Sequence, residues 1–501
     1  MNNGKICVSV CAKTAKELVE QIKRADELAD VIEIRFDCLE ENELSGFVEN
    51  LPLLNCLLAT FRTKLEGGKR DLSLKDRLDF WKKFSQSNKN KDYYVDFETD
   101  TSLLPSLVKG KKILSTHYFN QVPRNLADVF SGLSDFGNDA IVKIAVKTED
   151  ITDSIPIWQL LKQAKSENKE IIPIAMGESG KWTRILGLAH GAFFTYTSLD
   201  SGKETAPGQV TAKDLIEVYR AKELDETTDV YGILGNNTSV SLSPLIHNTA
   251  FKFHKLNSVF VPLQVHNLDE FIAKMVKPET QEVDLNFKGF SVTIPHKQSI
   301  IKHLDFINET AKKIGAVNTV KIVDGKLHGF NTDAQGFIEP LKHIYGDLNG
   351  AKVAILGAGG AARACVYALQ KESADVTIFT RHIEKATDLA KSFEVELEPS
   401  ENQKSKIKNF EIIVNATPLG MKGKAEGETP LTAEQMKNAK LVYDLVYIPQ
   451  ETELIKQAKS LNIPTLGGLE MLLAQANEQQ KIWTGLEVPL EEISDVVSEK
   501  L

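Results

Sequence analysis

Between residues 6 and 196 the chain repeats one rhythm: a short apolar or alternating run, a polar break, a helix-like pattern, then the next run. The runs fall at 6–11, 31–36, 56–61, 93–98, 112–117, 140–146, 171–175 and 192–196, which makes eight candidate strands. Between most of them, sets such as Leu18, Ile22, Ala25, Leu28 and Ile157, Leu160, Leu161, Ala164 keep a helical period. Repeated βα units build parallel sheets, and eight of them in about 220 residues predict a small TIM barrel. The helices after the second and seventh strands are the most weakly marked.

The rhythm stops at Lys222-Glu-Leu-Asp-Glu-Thr-Thr-Asp229, a polar, acidic stretch that reads as a domain boundary. Beyond it, strands at 259–263, 289–294 and 317–323 mix with helices near 244–255 and 268–276. From Lys352 onward, strands at 352–356, 375–380, 411–415 and 441–446 alternate with helices, the pattern of a nucleotide-binding α/β domain. The helical stretch 468–484 has no strand after it and is free to pack back on the middle unit. The expected fold class is therefore α/β: a barrel over 1–222, a small α/β domain over 230–335 completed by 468–490, and a Rossmann-like domain over 336–467.

Charge and cysteine content narrow the classes of function. Sixty Lys+Arg against 69 Asp+Glu give a formal charge of −9, so neither a nucleic acid nor an anionic membrane is an expected partner. No run approaches the roughly 18 apolar residues of a membrane span. Cys7, Cys11, Cys38, Cys56 and Cys365 are odd in number and include no CxxC pair, so neither a disulfide framework nor a zinc site is expected. No histidine cluster has metal-ligand spacing, and His247, His254 and His296 read as structural. These features suit a cytoplasmic protein; oligomeric state is left open.

Polar residues gather at the ends of the candidate strands with a common parity. Glu33 and Arg35 share one face, Asp96 and Glu98 another, and Arg62 and His117 lie at or just past strand ends. On a barrel such residues converge on the face that hosts active sites, although each could equally be an ion pair closing the barrel top. Lys143 is the sharpest case, lying inside Ala140-Ile-Val-Lys-Ile-Ala-Val146. An unpaired buried ammonium costs several kcal/mol, and burial favours the neutral amine, the form that attacks a carbonyl. Snorkelling along the outer face is the alternative that periodicity leaves open.

Glu33-Ile-Arg35-Phe-Asp37, Phe61-Arg62 with Glu66-Gly-Gly68, Ser115-Thr-His117-Tyr-Phe119, Lys143-Ile-Ala145, Arg184 and Ala206-Pro-Gly-Gln209 occur in one order, and over about residues 5–220 the chain resembles type I 3-dehydroquinate dehydratase. The resemblance implies an imine between Lys143 and the substrate ketone. It makes His117 the general base and acid, and an imidazole titrating near neutrality suits both steps. It assigns Arg184 to the substrate carboxylate, and Glu33, Arg35, Arg62, Glu66, Thr205 and Gln209 to the ring hydroxyls and the charge of the site. Phe119 and Met176 become its walls. Thr205 stands where the family often has Ser, and Tyr118 where Asp is common.

In the second half, Lys352–Leu356 runs into Gly357-Ala-Gly-Gly-Ala-Ala-Arg363, placing Gly357, Gly359 and Ala362 at the positions of a dinucleotide fingerprint. The next strand ends in Thr380-Arg381, and a cation there favours the 2′-phosphate of NADP. Ser241-Leu-Ser243, Thr293-Ile-Pro-His-Lys297, Asn318-Thr, Asn331-Thr-Asp333, Asn415-Ala-Thr417 and Gly468-Leu-Glu-Met471-Leu-Leu-Ala-Gln475 accompany the fingerprint. Over about residues 230–490 the chain resembles shikimate dehydrogenase. That implies Lys297 and Asp333 as the catalytic pair, whose bland alternative is a surface salt bridge. Ser241, Ser243, Thr293, Asn318, Tyr447 and Gln475 become substrate ligands. Gly357, Ala358, Gly359, Gly360, Ala361, Thr380, Arg381, Thr417, Leu445, Gly468 and Met471 become NADP ligands, and no metal is implied. Asn237-Thr-Ser-Val240 departs from the family's usual Pro and His before the serine pair. The two resemblances imply consecutive reactions, from 3-dehydroquinate to 3-dehydroshikimate and then, with NADPH, to shikimate.

Overall fold

The computed structural model describes residues 2–500 other than 3, 53, 55, 90, 91, 99–107, 137–139 and 403–405. By Cα proximity the chain divides into two compact units, Met1–Val230 with Asn237–Ser239 and Asn257–Asn286, and Tyr231–Asn236 with Val240–Leu256 and Phe287–Leu501.

The first unit contains the expected barrel. Its strands are β1 (Lys5–Val10), β2 (Val31–Arg35), β3 (Leu57–Thr60), β4 (Tyr93–Glu98), β5 (Lys111–Tyr118), β6 (Ile141–Lys147), β7 (Ile171–Met176) and β8 (Phe194–Ser198). They run parallel in the order β7-β6-β5-β4-β3-β2-β1-β8. The two outer strands meet where Phe193 N donates to Ile171 O at 2.9 Å, so the sheet is nearly closed. The period-two pattern divides each strand's side chains between two cores. Val8, Val10, Ile32, Ile34, Ala59 and Val95 point outward against helix residues such as Leu18, Ile22, Trp81 and Phe84. Cys7, Val31, Leu58, Tyr94, Ile113, Ile141, Ile172 and Phe194 pack together inside. Above that apolar floor the inward positions become polar, and the charged residues collect there. The weakly marked helices are present as Glu41–Glu49 and the six-residue Lys181–Leu186.

One expectation fails here. Cys11 and Cys38 form a disulfide with Cα atoms 5.5 Å apart, while Cys7, Cys56 and Cys365 are free. The two bonded cysteines follow β1 and β2, and parallel neighbours in register bring the residues after them together. Their separation of 27 residues is one βα repeat, which no cysteine-spacing rule detects.

In the rest of the chain, β9 (Asp229–Gly235), β10 (Ser258–Gln264), β11 (Phe287–Val292), β12 (Phe306–Ile307), β13 (Thr319–Val323) and β14 (Lys326–Phe330) form a mixed sheet in the order β10-β9-β11-β13-β14-β12. A second sheet is parallel throughout: β15 (Lys352–Leu356), β16 (Asp375–Thr380), β17 (Glu396–Pro399), β18 (Ile412–Asn415), β19 (Leu441–Asp444) and β20 (Thr465–Leu466), ordered β17-β16-β15-β18-β19-β20. Strand order therefore reverses between β15 and β18, and ligands bind at the carboxyl ends of strands at such a switch point. Helix Gly468–Thr484 returns to the mixed sheet, where Trp483 Nε1 donates to Val320 O at 2.9 Å. Gly336 lets helix Asp333–Tyr345 lie close against this returning helix, since a Cβ there would lie 2.6 Å from Gln475 Cβ. The short strands β12, β17 and β20, the hairpin strand β14 and helix Leu490–Lys500 have no counterpart in the sequence reading. Among the described residues no helix is long and apolar enough to cross a membrane.

Candidate active sites

The barrel site is a cavity of about 250 Å³ at the carboxyl ends of the strands. Its lining includes Lys143, His117, Glu33, Arg35, Arg62, Glu66, Phe119, Met176, Arg184, Thr205 and Gln209, every residue the sequence reading assigned to this half. Lys143 points inward: it is 5% exposed, shares its face with Ile141 and Ala145, and donates to Asp96 Oδ2 at 3.1 Å. The snorkelling alternative is thereby excluded.

The ion-pair reading of the strand ends is correct for several of them, and it describes how the site is built. Asp96 accepts from Arg62 Nη2 at 2.6 Å, from Ser115 Oγ at 2.5 Å and from Lys143. Burial alone would raise the Asp96 pKa, but Arg62 and Lys143 hold it well below the usual carboxylate range. Arg35 pairs with Asp37 at 2.8 Å, and Glu98 takes Thr63 and Arg77. Glu33 accepts from Ser9 at 2.5 Å and from Thr60 at 2.8 Å. The fixed charges thus hold one another: Tyr196 lines the cavity, and Asp37 and Asp96 hold its charged lining residues, although sequence reasoning gave none of the three a role in the site.

His117 Nδ1 lies 2.7 Å from Glu66 Oε2, and its ring stacks on Phe119 at 6.0 Å. Burial first, then the positive charge of Arg62 and Lys143, pushes His117 well below its ordinary value, which corrects the expectation of near-neutral titration. Burial pushes Glu66 up to about 7. Arg184 is in the opposite situation to Arg62. Burial pushes it down to about 10; among the described residues its Nη atoms reach only the carbonyls of Tyr196 and Pro207, at 3.4 and 3.3 Å, and its Nε has no partner. Among the described residues no carboxylate forms an ion pair with it. Thr205 N donates to Gln209 Oε1 at 2.8 Å, fixing the loop over the cavity.

The second unit has a larger cavity of about 450 Å³, lined by Ser241, Ser243, Thr293, Lys297, Asn318, Asp333, Tyr447 and Gln475. Gly359, Gly360, Ala361, Leu445, Gly468 and Met471 also line it. Lys297 Nζ donates to Asp333 Oδ2 at 2.5 Å, with side chains 16% and 7% exposed, so the pair is not a surface salt bridge. Asn318 Nδ2 donates to Asp333 Oδ1 at 2.8 Å and to Thr332 Oγ1 at 2.9 Å. Ser291 and Gln479 line the cavity too and were missed; Ser291 Oγ donates to Gln479 Oε1 at 2.7 Å. His247 is fully buried, lies within 3.3 Å of Gln479 and Gln480, and is pushed down to about 4 by burial.

Gly357, Ala358, Thr380, Arg381 and Thr417 fall outside this cavity, at the carboxyl ends of β15, β16 and β18. Gly357 has φ of 107°, open to glycine, and a Cβ there would lie 3.0 Å from Ala416 O. Helix Gly360–Lys371 begins with no side-chain cap, and a Cβ at Gly359 would meet open space, so its first N–H groups face room for an anionic group. Arg381 is exposed and forms no ion pair among the described residues. The residues present thus fit a phosphorylated dinucleotide. Among the described residues no group of His, Cys, Asp and Glu is placed to hold a metal.

A lysine-centred barrel site and a dinucleotide-type site on a Rossmann-like sheet define a two-enzyme α/β chain. Family models match accordingly: type I 3-dehydroquinase over residues 6–226, the shikimate dehydrogenase substrate binding domain over 233–320, and shikimate/quinate 5-dehydrogenase over 339–454. The chain is 34% identical to the chloroplastic bifunctional 3-dehydroquinate dehydratase/shikimate dehydrogenase of Arabidopsis thaliana, across 98% of this chain and 83% of that protein. It is 40% identical to the NADP(+) shikimate dehydrogenase of Caldanaerobacter subterraneus subsp. tengcongensis, across 52% of this chain and 94% of the relative. A solved shikimate dehydrogenase in complex with NADP+ matches 55% of this chain and 97% of its own, at 38% identity and a TM-score of 0.50. The chain belongs to the bifunctional 3-dehydroquinate dehydratase/shikimate dehydrogenase family.

Proposed function

We propose that this chain converts 3-dehydroquinate to 3-dehydroshikimate in its barrel and reduces that product to shikimate in its second unit. The observation that carries the first step is a buried lysine facing a buried, carboxylate-free arginine across one cavity. Arg184 takes the substrate carboxylate, for which a guanidinium fork is suited. Lys143 attacks the C3 carbonyl and loses water to form an iminium, which acidifies the proton at C2. An ionised Glu66 accepts the Nδ1–H of His117 and leaves Nε2 as the base for that proton. His117 then protonates the departing C1 hydroxyl, and water releases product and Lys143. Glu33, Arg35, Arg62, Thr205 and Gln209 hold the ring and the charge of the site, with Phe119 and Met176 as walls.

In the second unit, Ser241, Ser243, Thr293, Asn318, Tyr447 and Gln475 present hydroxyls and amides to a polyhydroxylated ring acid. NADPH, when bound along Gly357–Ala361, Thr417, Leu445, Gly468 and Met471, supplies hydride to the carbonyl carbon. Lys297 delivers the proton to the carbonyl oxygen, and Asp333 orients Lys297 while Asn318 orients Asp333. Thr380 and Arg381 hold the 2′-phosphate. The setting we propose is cytoplasmic, which the free Cys7, Cys56 and Cys365 suit and the Cys11–Cys38 disulfide does not. The test is a coupled assay: purified chain, 3-dehydroquinate and NADPH should yield shikimate and NADP+ in equal amounts. Accumulation of 3-dehydroshikimate with no NADPH consumption would overturn the second half of the reading.

A further inference from the structure

Tyr196, on β8, is 4% exposed, and its phenolic oxygen is buried with no hydrogen-bond partner among the described residues. The side chain nonetheless lines the barrel cavity, and its ring centroid lies 4.3 Å from Lys143 Nζ. The acceptors around it are committed elsewhere. Glu33 takes Ser9 and Thr60, and Asp96 takes Arg62, Ser115 and Lys143. A buried hydroxyl without a partner costs folding free energy, and phenylalanine would fill the same space without that cost. The hydroxyl is therefore a liability in the folded chain unless a bound molecule satisfies it. The cavity's other unpartnered donor, Arg184 Nε, is accounted for by the substrate carboxylate. Burial and the nearby negative charge of Glu33 push the phenol well above its ordinary value, so it stays a donor wherever the chain is active.

We propose that the Tyr196 hydroxyl donates a hydrogen bond to the carbonyl oxygen of the substrate as Lys143 adds to it. The position follows from the ring: its face covers Nζ, so its hydroxyl is within reach of atoms on the carbon that Nζ attacks. The amine lone pair forms the C–N bond, the carbonyl π pair moves to oxygen, and the Tyr196 hydrogen bond stabilises the charge growing there. That oxygen then receives the proton the new ammonium loses, giving a neutral carbinolamine, and Tyr196 keeps its own proton throughout. The proposal rests on the Schiff-base reading of Lys143 and adds a residue that the reading does not require.

The test is Tyr196→Phe in the full chain, which deletes one oxygen and keeps the ring. kcat/KM for 3-dehydroquinate should fall about tenfold, the effect of one hydrogen bond made in the transition state. The melting temperature should rise, because an unsatisfied group has been removed, and the dehydrogenase rate should be unchanged. Borohydride trapping on Lys143, followed by mass spectrometry, should proceed more slowly to the same final extent. A higher melting temperature with unchanged kcat/KM would show an idle hydroxyl, and a lower one would show a hydroxyl partnered within the fold; either overturns the proposal. If the unaltered chain gives no borohydride adduct on Lys143, the Schiff-base reading fails and takes the proposal with it. An adduct with an unaffected Tyr196→Phe variant defeats the proposal alone.

Discussion

The two cavities solve opposite problems with different polar groups. The barrel site is small and crowded with formal charge: around 250 Å³ it gathers Lys143, Arg35, Arg62, Arg184, Glu33 and Glu66. The second site is larger, about 450 Å³, and has one ion pair set among serines, a threonine, an asparagine and glutamines. A covalent mechanism needs one amine held in one place, and the buried set Arg62, Asp96 and Lys143 does that, because moving one of them leaves another buried and unpaired. A hydride-transfer site must admit two ligands side by side. Neutral amides and hydroxyls shape such a space without a large desolvation cost when it is empty.

Substituting the two lysines tests this contrast most severely. Lys143→Ala should lower dehydratase kcat by at least about a thousandfold and abolish borohydride trapping, while shikimate oxidation stays within about twofold. Lys297→Ala should do the reverse, lowering the dehydrogenase rate by roughly a hundredfold or more, the usual scale of general acid catalysis. Cross-effects larger than a few-fold would mean that the sites are not energetically separate. A smaller effect is expected at the exposed end of the cofactor site. Arg381→Ala should raise the KM for NADPH about tenfold and leave that for NADH nearly unchanged, as measured by initial rates with each cofactor.

Glu66 gives a prediction about pH. Its carboxyl is raised to about 7 in the folded chain against 4.5 ordinarily, so the folded state holds that proton more tightly than the unfolded state. Its contribution to stability is fully present below about 4.5 and is lost as pH rises through about 7. Melting temperatures across pH 4.5 to 8 should therefore move in favour of Glu66→Gln as pH increases, because glutamine cannot ionise. Dehydratase kcat should rise through about pH 7 in the parent chain and lose that limb in the variant. A parallel pH profile in the two proteins would remove Glu66 from the mechanism.

Much of this was legible because the polar residues interrupt a strict pattern. Eight strands appear within two residues of their expected bounds, since period-two alternation is a local property of the chain. Lys143 stood out as one charge in an apolar run. Its direction did not, because both faces of a barrel strand are buried and parity alone does not say which one looks inward. Asp96 and Asp37 were visible as residues but not as the partners of Arg62, Lys143 and Arg35, because those pairings cross strands far apart in sequence. Tyr196 draws no attention in the sequence, being one aromatic at the end of the run 192–196, and its unpartnered oxygen is what separates it from a core phenylalanine. Strands of two residues such as β12 and β20 carry no pattern of their own and form only because longer neighbours present an open edge.

The return of helix Gly468–Thr484 to the mixed sheet bears on how the protein is made. The barrel's last strand ends at Ser198, so β1 can find its neighbour early in synthesis. The mixed sheet begins at Asp229 but is not finished until Gln479 and Trp483 have emerged to reach Ser291, Asn318 and Val320. At about 5–20 residues per second the interval between the two events is roughly 15–60 s. A growing chain therefore has a window in which every strand of the barrel that makes the intermediate has been synthesised while the sheet of the site that consumes it is still unfinished, so the first activity can precede the second.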